Sequence, residues 1–518
     1  MKGASRPGGR SIGGEYNGPA PPIRAVPGRP ALSDPQISFG TDGWRAVVAD
    51  DFTYANVRAV TQAVAQMLAG APPGGAVVVG HDTRFSAELF AQEVARVLAA
   101  NSRRVLLSDR PSPTQVSAWL VVETGALGGV VVTASHNPPE FNGLKYKPEY
   151  GGSASPEITA QLEAELAEVL AKDSVRTMAL DEALAQGLVE MVDPRPPYRA
   201  QIGRLIKLDE IRGAGLHLLH DPMYGAGSGY ISDLVGGLAT QVTELHSERN
   251  PGFGGLHPEP IPPNTDAAAK VLREGGFDLG IVNDGDADRV GIFDEKGGFV
   301  DQLEVASLLL WHLLENRGLR GPVVRSLTMT RRLDILGQRY SCPVEELPVG
   351  FKYLGPRMRE LDALFAAEES GGFGFRGHIP ERDGILSGLY FAEMIVMTGR
   401  PLSQIRQEVA ALLGPHAYAR RDHRFAREAY PEARSRLAER MRTAPPSAVG
   451  GVPITATRSD DGYKYWLGED SWVLVRMSGT EPLMRVYGES TTPERVQQLL
   501  TDFERELDVV GEGGDRHG

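Results

Sequence analysis

The chain has 518 residues, too many for one ordinary hydrophobic core, so we expect three or four domains. Its formal net charge of −13 argues against nucleic-acid binding, which usually accompanies a basic surplus or stripe. The single cysteine excludes an internal disulfide framework. With no long apolar run and no signal-peptide core, the sequence predicts a cytoplasmic protein without a membrane partner.

The N-terminal part of the chain divides into an extension and a folded region. Residues 1–35 are rich in glycine, proline, serine and arginine, which predicts a disordered extension. Beyond it, short apolar runs at 77–79, 105–107 and 130–132 predict buried strands. The apolar residues within 90–98 have helical spacing, so strands alternate with helices from the start of the folded region.

The same alternation continues through the middle of the chain. Ser155 is followed by proline and Glu157, residue types that favour the first turn of a helix, and the apolar stripe 158–169 keeps helical spacing. Runs at 216–220 and 279–282 are strand-like, with helical patterns around them. Strands that alternate with helices predict parallel or mixed sheets covered on both faces.

The C-terminal quarter has a different pattern. A third alternating block begins at 323–324 and has its last strand at 364–366. In the final block, helical patterns at 426–442 and 493–506 flank several strand patterns, which predicts an α+β module with antiparallel pairing. We therefore predict an α/β fold: three similar α/β domains with mixed sheets plus a C-terminal α+β domain. The expected domains are residues 36–194, 195–300, 301–415 and 416–510.

The stretch Thr133-Ala134-Ser135-His136-Asn137-Pro138-Pro139 carries the first candidate site. It follows the strand pattern at 130–132, and its two prolines forbid a simple helical continuation. A serine on a stiff turn at a strand end is a candidate covalent carrier, and Lys145 lies ten residues further on. No Gly-x-Ser-x-Gly elbow surrounds Ser135, which argues against a hydrolase.

Three aspartates after the strand pattern at 279–282 form a candidate metal site. Asp284, Asp286 and Asp288 stand at alternate positions, so their carboxylates can converge on one hard cation such as Mg²⁺. A calcium EF-hand loop and a solvated acidic turn are the alternatives. Arg289 occupies the position where an EF-hand needs glycine, and the flanks are strand-like. We favour Mg²⁺, with Arg289 contacting a phosphate beside it.

Two further loops suit a phosphorylated sugar. Glu368-Glu369-Ser370-Gly371-Gly372 offers oxygens that can accept hydrogen bonds from sugar hydroxyls, with an exposed acidic turn as an equal alternative. Arg476-Met477-Ser478-Gly479-Thr480-Glu481-Pro482, with Arg485 nearby, combines arginine, hydroxyls and glycine. Such a nest suits a phosphate better than an ordinary hairpin turn does.

Together with Phe39-Gly40-Thr41-Asp42-Gly43-Trp44-Arg45, these loops closely resemble the α-D-phosphohexomutase superfamily, the phosphoglucomutase/phosphomannomutase group. The resemblance covers about residues 38–505 and implies four domains around a central cleft, each contributing one loop. It implies an isomerase that interconverts hexose 1-phosphate and hexose 6-phosphate through a phosphoserine. Glucose 1,6-bisphosphate would be the intermediate and activator, and one Mg²⁺ would be the metal cofactor.

The resemblance also implies roles for individual residues. Ser135 would be the phosphoserine and a metal ligand with the three aspartates. Proton transfer would involve His136 and Lys145, and Arg45 and Arg289 would contact phosphate. Lys145 can act as a base only if its pKa is lowered, for which the two arginines are a plausible cause. The implied substrate-binding residues are Glu368, Ser370, Lys352, Arg476, Ser478, Gly479, Thr480 and Arg485.

The loop sequences favour one branch of this group. Some members have histidine where this chain has Gly372, and the glucosamine mutases typically carry glutamine where Glu369 stands. Bacterial phosphoglucomutase is therefore the nearest match, and glucose the favoured hexose. A phosphomannomutase or dual-specificity mutase, a glucose 1,6-bisphosphate synthase and a non-catalytic sugar-phosphate-binding protein are the alternatives. The expected assembly is a monomer or homodimer.

Overall fold

The computed structural model describes residues 37–40, 42–72, 74–426, 428–478 and 482–507. The expected disordered extension at 1–35 and the candidate phosphate ligands Gly479 and Thr480 lie outside these ranges. Among the described residues, four main sheets follow one another along the chain. No helix in the described ranges combines the length and apolar character needed to cross a membrane.

The first sheet is mixed. Its strands are β1 (Trp44–Val47), β2 (Ala76–His81), β3 (Arg104–Ser108), β4 (Gly128–Val132), β5 (Phe141–Pro148) and β6 (Val189–Val192). The accompanying helices are α1 (Tyr54–Met67), α2 (Ala87–Ala100), α3 (Thr114–Thr124), α4 (Pro156–Lys172) and α5 (Leu180–Ala185). The strand order is β1-β5-β4-β2-β3-β6, and β5 pairs antiparallel with β4 and β1. The Ser135 stretch therefore connects two antiparallel neighbours.

The second sheet is also mixed, with strand order β11-β10-β9-β7-β8. The strands are β7 (His217–Asp221), β8 (Gln241–Glu244), β9 (Leu279–Asn283), β10 (Val290–Phe293) and β11 (Phe299–Val300). The helices are α6 (Arg195–Leu205), α7 (Leu208–Gly213), α8 (Tyr230–Val235) and α9 (Asp266–Glu274), with a 3₁₀ turn at Phe253–Gly255. β9 and β10 pair antiparallel, so the three aspartates lie in the loop between adjacent strands.

The third sheet has the order β13-β12-β14-β15, with only the last pair antiparallel. Its strands are β12 (Val323–Ser326), β13 (Val344–Leu347), β14 (Phe365–Ala367) and β15 (Phe373–Phe375). Its helices are α10 (Gln302–Trp311), continued by a π-turn at His312–Asn316, α11 (Arg332–Arg339), α12 (Phe351–Leu361), α13 (Gly384–Thr398) and α14 (Leu402–Leu413). The Glu368 stretch connects the antiparallel strands β14 and β15.

The fourth sheet is antiparallel throughout, with order β16-β21-β20-β19-β18-β17. Its strands are β16 (Ala417–Arg424), β17 (Ala448–Val449), β18 (Val452–Arg458), β19 (Tyr463–Leu467), β20 (Ser471–Met477) and β21 (Leu483–Ser490). Two helices belong to this segment, α15 (Tyr430–Thr443) and α16 (Pro493–Leu507). The candidate phosphate loop connects β20 to β21.

The second and third sheets share one apolar core. Helix α13, which follows the third sheet along the chain, packs against β9 and β10 of the second. The cluster includes Ile281 of β9 and Leu389 of α13, both fully buried. The first and fourth sheets have cores of their own. This shared core fixes the Asp284 loop relative to the Glu368 loop.

The predicted fold class is confirmed: the chain has α/β segments with mixed sheets and a C-terminal α+β segment. The predicted capping signal is also confirmed, because Ser155 Oγ accepts a hydrogen bond from the N–H of Ile158. Helix α15 begins at Tyr430, later than the helix expected at 426–442. The domain boundaries stay predictions.

Candidate active site

The Ser135 loop joins β4 to β5 and holds its serine in an unusual backbone conformation. Ser135 has a φ of +51°, in the left-handed region that residues other than glycine rarely occupy. Its N–H donates a 2.9 Å hydrogen bond to Thr133 Oγ1, and its side chain is buried. Such a conformation persists only where the surroundings enforce it, so the Ser135 hydroxyl has a fixed direction.

Arg84, a residue without a role in the sequence prediction, enforces that conformation. Its buried guanidinium donates hydrogen bonds to four backbone carbonyls of the loop, those of Ser135, Asn137, Pro138 and Phe141. Asp82 lies 3.3 Å from Arg84 Nε and accepts a 2.6 Å hydrogen bond from Thr133 Oγ1. The sequence signal was an Asp-x-Arg pattern directly after β2, where the side chains reach the same edge of the sheet as the serine.

The Asp284 loop meets the Ser135 loop directly. Ser135 Oγ donates a 2.7 Å hydrogen bond to Asp284 Oδ2. Asp284, Asp286 and Asp288 are fully buried, and one carboxylate oxygen from each lies within 4.8 Å of the others. A Cβ on Gly285 would lie 2.6 Å from the carbonyl oxygen of Ser135, so glycine is required for this close approach.

The three carboxylates fit a divalent cation. Asp286 Oδ1 and Asp288 Oδ1 are buried without a hydrogen-bond partner among the described residues, which is costly for carboxylate oxygens unless a cation joins them. Burial and the negative charges of Asp286 and Asp288 raise the pKa of Asp284 well above its usual value. The loop is flanked by β9 and β10, so it lacks the helical flanks of an EF-hand.

Lys145 projects from β5 into the same carboxylates. Its Nζ lies 2.8 Å from Asp42 Oδ2, 2.8 Å from Asp286 Oδ2 and 2.9 Å from Asp288 Oδ2. Burial alone would lower the Lys145 pKa, but these carboxylates outweigh burial and raise it above its usual value. The expectation that Arg45 and Arg289 lower this pKa is wrong for this arrangement, because the carboxylates are the nearer charges.

The remaining candidates for catalysis surround the serine. His136 Nδ1 lies 3.4 Å from Ser135 Oγ. Burial, together with the positive charges of Arg289 and Arg45, lowers the pKa of His136 well below its usual value, so its imidazole is neutral at pH 7. Arg45 donates a 2.8 Å hydrogen bond to Asn137 Oδ1 of the Ser135 loop. The N–H of Arg289 donates a 3.0 Å hydrogen bond to Asp284 Oδ1.

Arg382 joins the first three segments through buried ion pairs. It lies between β15 and α13 and pairs with Asp42 of the first segment. It also lies 3.0 Å from Asp288 Oδ2 and 3.7 Å from Glu368 Oε2. Lys147, on the same face of β5 as the candidate lysine, lies 3.1 Å from Asp42 Oδ1. The sequence did not reveal these contacts, since the partners are far apart along the chain.

The Glu368 loop contacts both the second segment and the fourth. Glu368 is buried, and this burial raises its pKa from 4.5 to about 7 although Arg382 and Arg289 oppose the shift. Glu369 Oε1 accepts hydrogen bonds from the Tyr418 hydroxyl at 3.0 Å and from Arg420 at 3.3 Å. Ser370 is half-buried in the same loop.

The candidate phosphate residues form a separate group on the fourth sheet. Arg476, near the end of β20, donates through Nε and NH2 to Asp461 Oδ1 at 3.1 and 2.8 Å. Arg485 lies opposite Arg476 on β21, in the same register pair. The N–H of Ser478 donates a 2.8 Å hydrogen bond to the carbonyl of Leu483, which closes the base of the loop. Arg476 therefore pairs with a carboxylate of its own segment.

Lys352 lies in the first turn of α12 and is half-buried. Its Nζ is 5.4 Å from the ring centroid of Tyr353. Three residues before Lys352, the N–H of Val349 donates a 2.7 Å hydrogen bond to Asp461 Oδ2. The segment that carries Lys352 therefore contacts the same carboxylate that binds Arg476.

Four family models match consecutive parts of the chain and together cover most of it. All are described as phosphoglucomutase/phosphomannomutase domains. Alpha/beta/alpha domain I matches residues 36–172, domain II residues 196–298, domain III residues 301–412, and the C-terminal domain residues 432–506.

Individual relatives are similar over nearly the whole chain. The phosphoglucomutase of Komagataeibacter xylinus is 28% identical over 500 residues, covering 89% of this chain and 88% of that protein. The phosphopentomutase of Thermococcus kodakarensis is 31% identical over 468 residues, covering 89% and 96%. The crystal structure of a candidate phosphomannomutase from Thermus thermophilus is 34% identical, with a TM-score of 0.78 over 91% of this chain and 99% of that one.

Proposed function

Because the chain belongs to the phosphoglucomutase/phosphomannomutase family of mutases, we propose that it interconverts hexose 1-phosphate and hexose 6-phosphate, with glucose favoured. The observation that carries this proposal is the 2.7 Å hydrogen bond from Ser135 Oγ to Asp284 Oδ2. It joins a rigidly held serine to a buried set of cation-binding carboxylates. Phosphoryl transfer needs this pairing of a carrier oxygen with charge neutralisation.

The proposed reaction has two phosphoryl transfers. In the first, the bond from phosphorus to Oγ of phosphorylated Ser135 breaks, and a bond forms to the free hydroxyl oxygen of the sugar phosphate. The hydroxyl proton passes to His136, whose imidazole is neutral, because the raised pKa of Lys145 keeps its ammonium protonated. The resulting bisphosphorylated sugar turns around, and its other phosphoryl group returns to Ser135 while a proton returns to the oxygen left behind. The enzyme ends as it began, so the overall change is an isomerisation.

The carboxylates of Asp284, Asp286 and Asp288, together with the phosphorylated Ser135, are the proposed ligands of one Mg²⁺. When bound, this ion would neutralise charge on the phosphoryl group that is transferred. Arg289 supports the same task, since its backbone N–H orients Asp284 at 3.0 Å and its side chain lies beside the aspartates. Arg45 is proposed to contact phosphate next to the Ser135 loop. Its hydrogen bond to Asn137 Oδ1 holds it against this loop.

The remaining residues are proposed to bind the end of the sugar that does not react. Glu368 and Ser370 would accept hydrogen bonds from sugar hydroxyls, and Lys352 would also contact the substrate. The clamp on the second phosphate would consist of Arg476, Ser478, Gly479, Thr480 and Arg485. Since the intermediate turns around, this clamp must accept phosphate on either end of the sugar, for which an arginine fork with small hydroxyl residues is suited.

The preference for glucose is proposed from the sugar-binding loop. Relatives include a phosphoglucomutase and a phosphopentomutase at similar identity, so overall similarity does not select one sugar. The proposal of glucose rests on Glu369 and Gly372 of the sugar-binding loop. A phosphomannomutase or dual-specificity mutase uses the same machinery. A glucose 1,6-bisphosphate synthase would retain the phosphoserine without isomerising the sugar.

A panel of substrates tests the proposal. Glucose, mannose, glucosamine and ribose 1-phosphates are each given to the purified protein with Mg²⁺ and a trace of glucose 1,6-bisphosphate, and kcat/KM is compared. The proposal predicts conversion of the hexose 1-phosphates to their 6-phosphates, with the highest kcat/KM for glucose 1-phosphate. A single transfer of the phosphoryl group of phosphorylated Ser135 to the sugar, without isomerisation, would favour the synthase, and binding of all hexose phosphates without turnover would favour a non-catalytic binding protein.

A further inference from the structure

Asp461 makes two contacts that connect the fourth segment to the third. Oδ1 accepts hydrogen bonds from Arg476 Nε at 3.1 Å and NH2 at 2.8 Å. Oδ2 accepts the N–H of Val349 at 2.7 Å. Asp461 lies in the turn between β18 and β19, and Val349 lies between β13 and α12. One carboxylate therefore binds an arginine of the fourth sheet and the backbone of the third segment.

Asp461 binds one side of the Arg476 guanidinium and so fixes its orientation, and Tyr487 interacts with the same guanidinium. A guanidinium carries five N–H donors, and Asp461 occupies the side formed by Nε and NH2. The edge formed by NH1 and NH2 is the other pair of parallel donors and matches two oxygens of a phosphate. The side chains of Arg476 and Asp461 are 15% and 23% exposed, so this arrangement lies near the surface of the segment, where a ligand can reach it.

Gly462 provides an independent sign that the position of Arg476 is built into the turn. Its φ is +95°, which residues with a side chain rarely adopt. A Cβ at this position would lie 2.5 Å from Arg476 Cγ and 2.5 Å from the carbonyl oxygen of Val475. The turn thus has no side chain at Gly462, where the aliphatic part of Arg476 passes it. Gly462 directly follows Asp461, whose carboxylate binds the Arg476 guanidinium.

We propose that Asp461 is a positioning residue for substrate phosphate: it orients Arg476 and at the same time holds the segment carrying Lys352. This inference rests on the proposed function, in which Arg476 and Lys352 bind the substrate. Its physical basis is pre-organisation. A guanidinium and a lysine segment already held by one carboxylate lose less conformational freedom when a phosphorylated sugar binds between them.

The test is Asp461→Asn in the full-length protein, assayed with glucose 1-phosphate. Loss of the charge weakens hydrogen bonds to Arg476 and to Val349, so KM should rise about tenfold or more. Asp461 does not touch Ser135 or the aspartates, so kcat should stay within about threefold. An unchanged KM, or a fall in kcat without a rise in KM, contradicts the proposal.

The adjacent residue supplies a matched control. Asp460 is bound to Arg458 at 2.6 Å and is about half exposed. Asp460→Asn removes a charge one position away and should leave both KM and kcat unchanged; an equal rise in KM would reduce the effect to general electrostatics and overturn the proposal. If Asp461→Asn does not fold, Asp461→Glu replaces it. The carboxylate then moves by one methylene, and KM should again rise.

A double variant separates positioning from general loss of structure. In an Arg476→Ala background, Asp461→Asn should weaken the calorimetric affinity for glucose 6-phosphate by clearly less than it does in the wild type, because only the contact to Val349 is then left to lose. A full additive effect contradicts action through Arg476. Because calorimetry needs no turnover, a wild-type protein that binds glucose 6-phosphate but does not isomerise it would refute the proposed function while the test of Asp461 still gives an answer.

Discussion

Ser135 and Asp284 share a 2.7 Å hydrogen bond across two sheets: the serine follows β4 of the first, and the aspartate follows β9 of the second. Both side chains are buried, and the backbone of the Ser135 loop is held by Arg84. Gly285 lets the two loops approach to this distance. The relationship explains why neither segment alone is sufficient for the proposed chemistry.

Replacement of the serine is the first prediction. Ser135→Ala removes the proposed phosphoryl carrier, so kcat for glucose 1-phosphate should fall at least about a thousandfold. Intact-mass analysis of the wild-type protein should find one phosphate on a fraction of molecules, and fragmentation should place it on Ser135. Ser435→Ala, at an exposed helix position, is the control and should retain both phosphate and activity. Substantial turnover by Ser135→Ala would refute the phosphoserine assignment.

Local patterns in the sequence were sufficient to predict several parts of this arrangement. The helix that begins after Ser155 was predicted because the capping residue and the first helical residues are contiguous in the sequence. The candidate metal site was predicted because its three aspartates are spaced only two residues apart. β16 was not predicted. Its sequence is rich in arginine, and only pairing with β21 makes it a strand. Such pairing depends on residues far along the chain, which periodicity does not report.

The electrostatics of the site were the least predictable part. Lys145 was expected to have a lowered pKa, whereas Asp42, Asp286 and Asp288 surround it. Asp42 was noticed as part of a motif, but its contact with Lys145 depends on the pairing of β1 with β5. Arg84 and Arg382 were overlooked for the same reason. Their partners belong to loops that are adjacent only in the folded protein.

Metal dependence is the second prediction. Excess chelator should abolish turnover, and added Mg²⁺ should restore it, because Asp286 Oδ1 and Asp288 Oδ1 are buried with no hydrogen-bond partner among the described residues. Asp288→Asn should raise the Mg²⁺ concentration for half-maximal activity at least about tenfold. Asp233→Asn, an exposed change in the same segment, is the control and should not alter it. Full activity in excess chelator would contradict the metal site.

The contact between Arg84 and the Ser135 loop yields a third prediction. The planar guanidinium of Arg84 donates to four backbone carbonyls, and Arg84→Lys puts a single ammonium in its place. The hydroxyl of Ser135 should therefore lose its fixed direction. We expect kcat to fall about 10- to 100-fold with a smaller change in KM. Arg58→Lys, at a partly exposed arginine bound to Glu93, should leave both unchanged. A normal kcat in folded Arg84→Lys would show that the loop holds its conformation without this side chain.

The raised pKa of Glu368 gives a fourth prediction, in which stability and binding change in opposite directions. Burial raises the pKa of Glu368 from 4.5 to about 7. Between pH 4.5 and pH 7, Glu368 therefore keeps its proton in the folded protein but has lost it in the unfolded chain. The contribution of Glu368 to the free energy of unfolding therefore falls as the pH rises from about 4.5 to 7, and its unfavourable effect is complete above pH 7. Glu368→Gln, which is neutral at every pH, should have a higher Tm than the wild type at pH 8 and an equal Tm near pH 4.5.

The same substitution should weaken sugar binding. A glutamine offers one acceptor oxygen in place of a carboxylate, so the KM for glucose 1-phosphate should rise at pH 8, where the wild-type side chain is largely ionised. Glu369→Gln is the control for stability: Glu369 contacts Tyr418 and Arg420, and its replacement should not produce a Tm gain that appears between pH 4.5 and 7. If the Tm difference between Glu368→Gln and the wild type did not depend on pH, the carboxylate would not titrate in this range, and burial would not be the dominant influence on it.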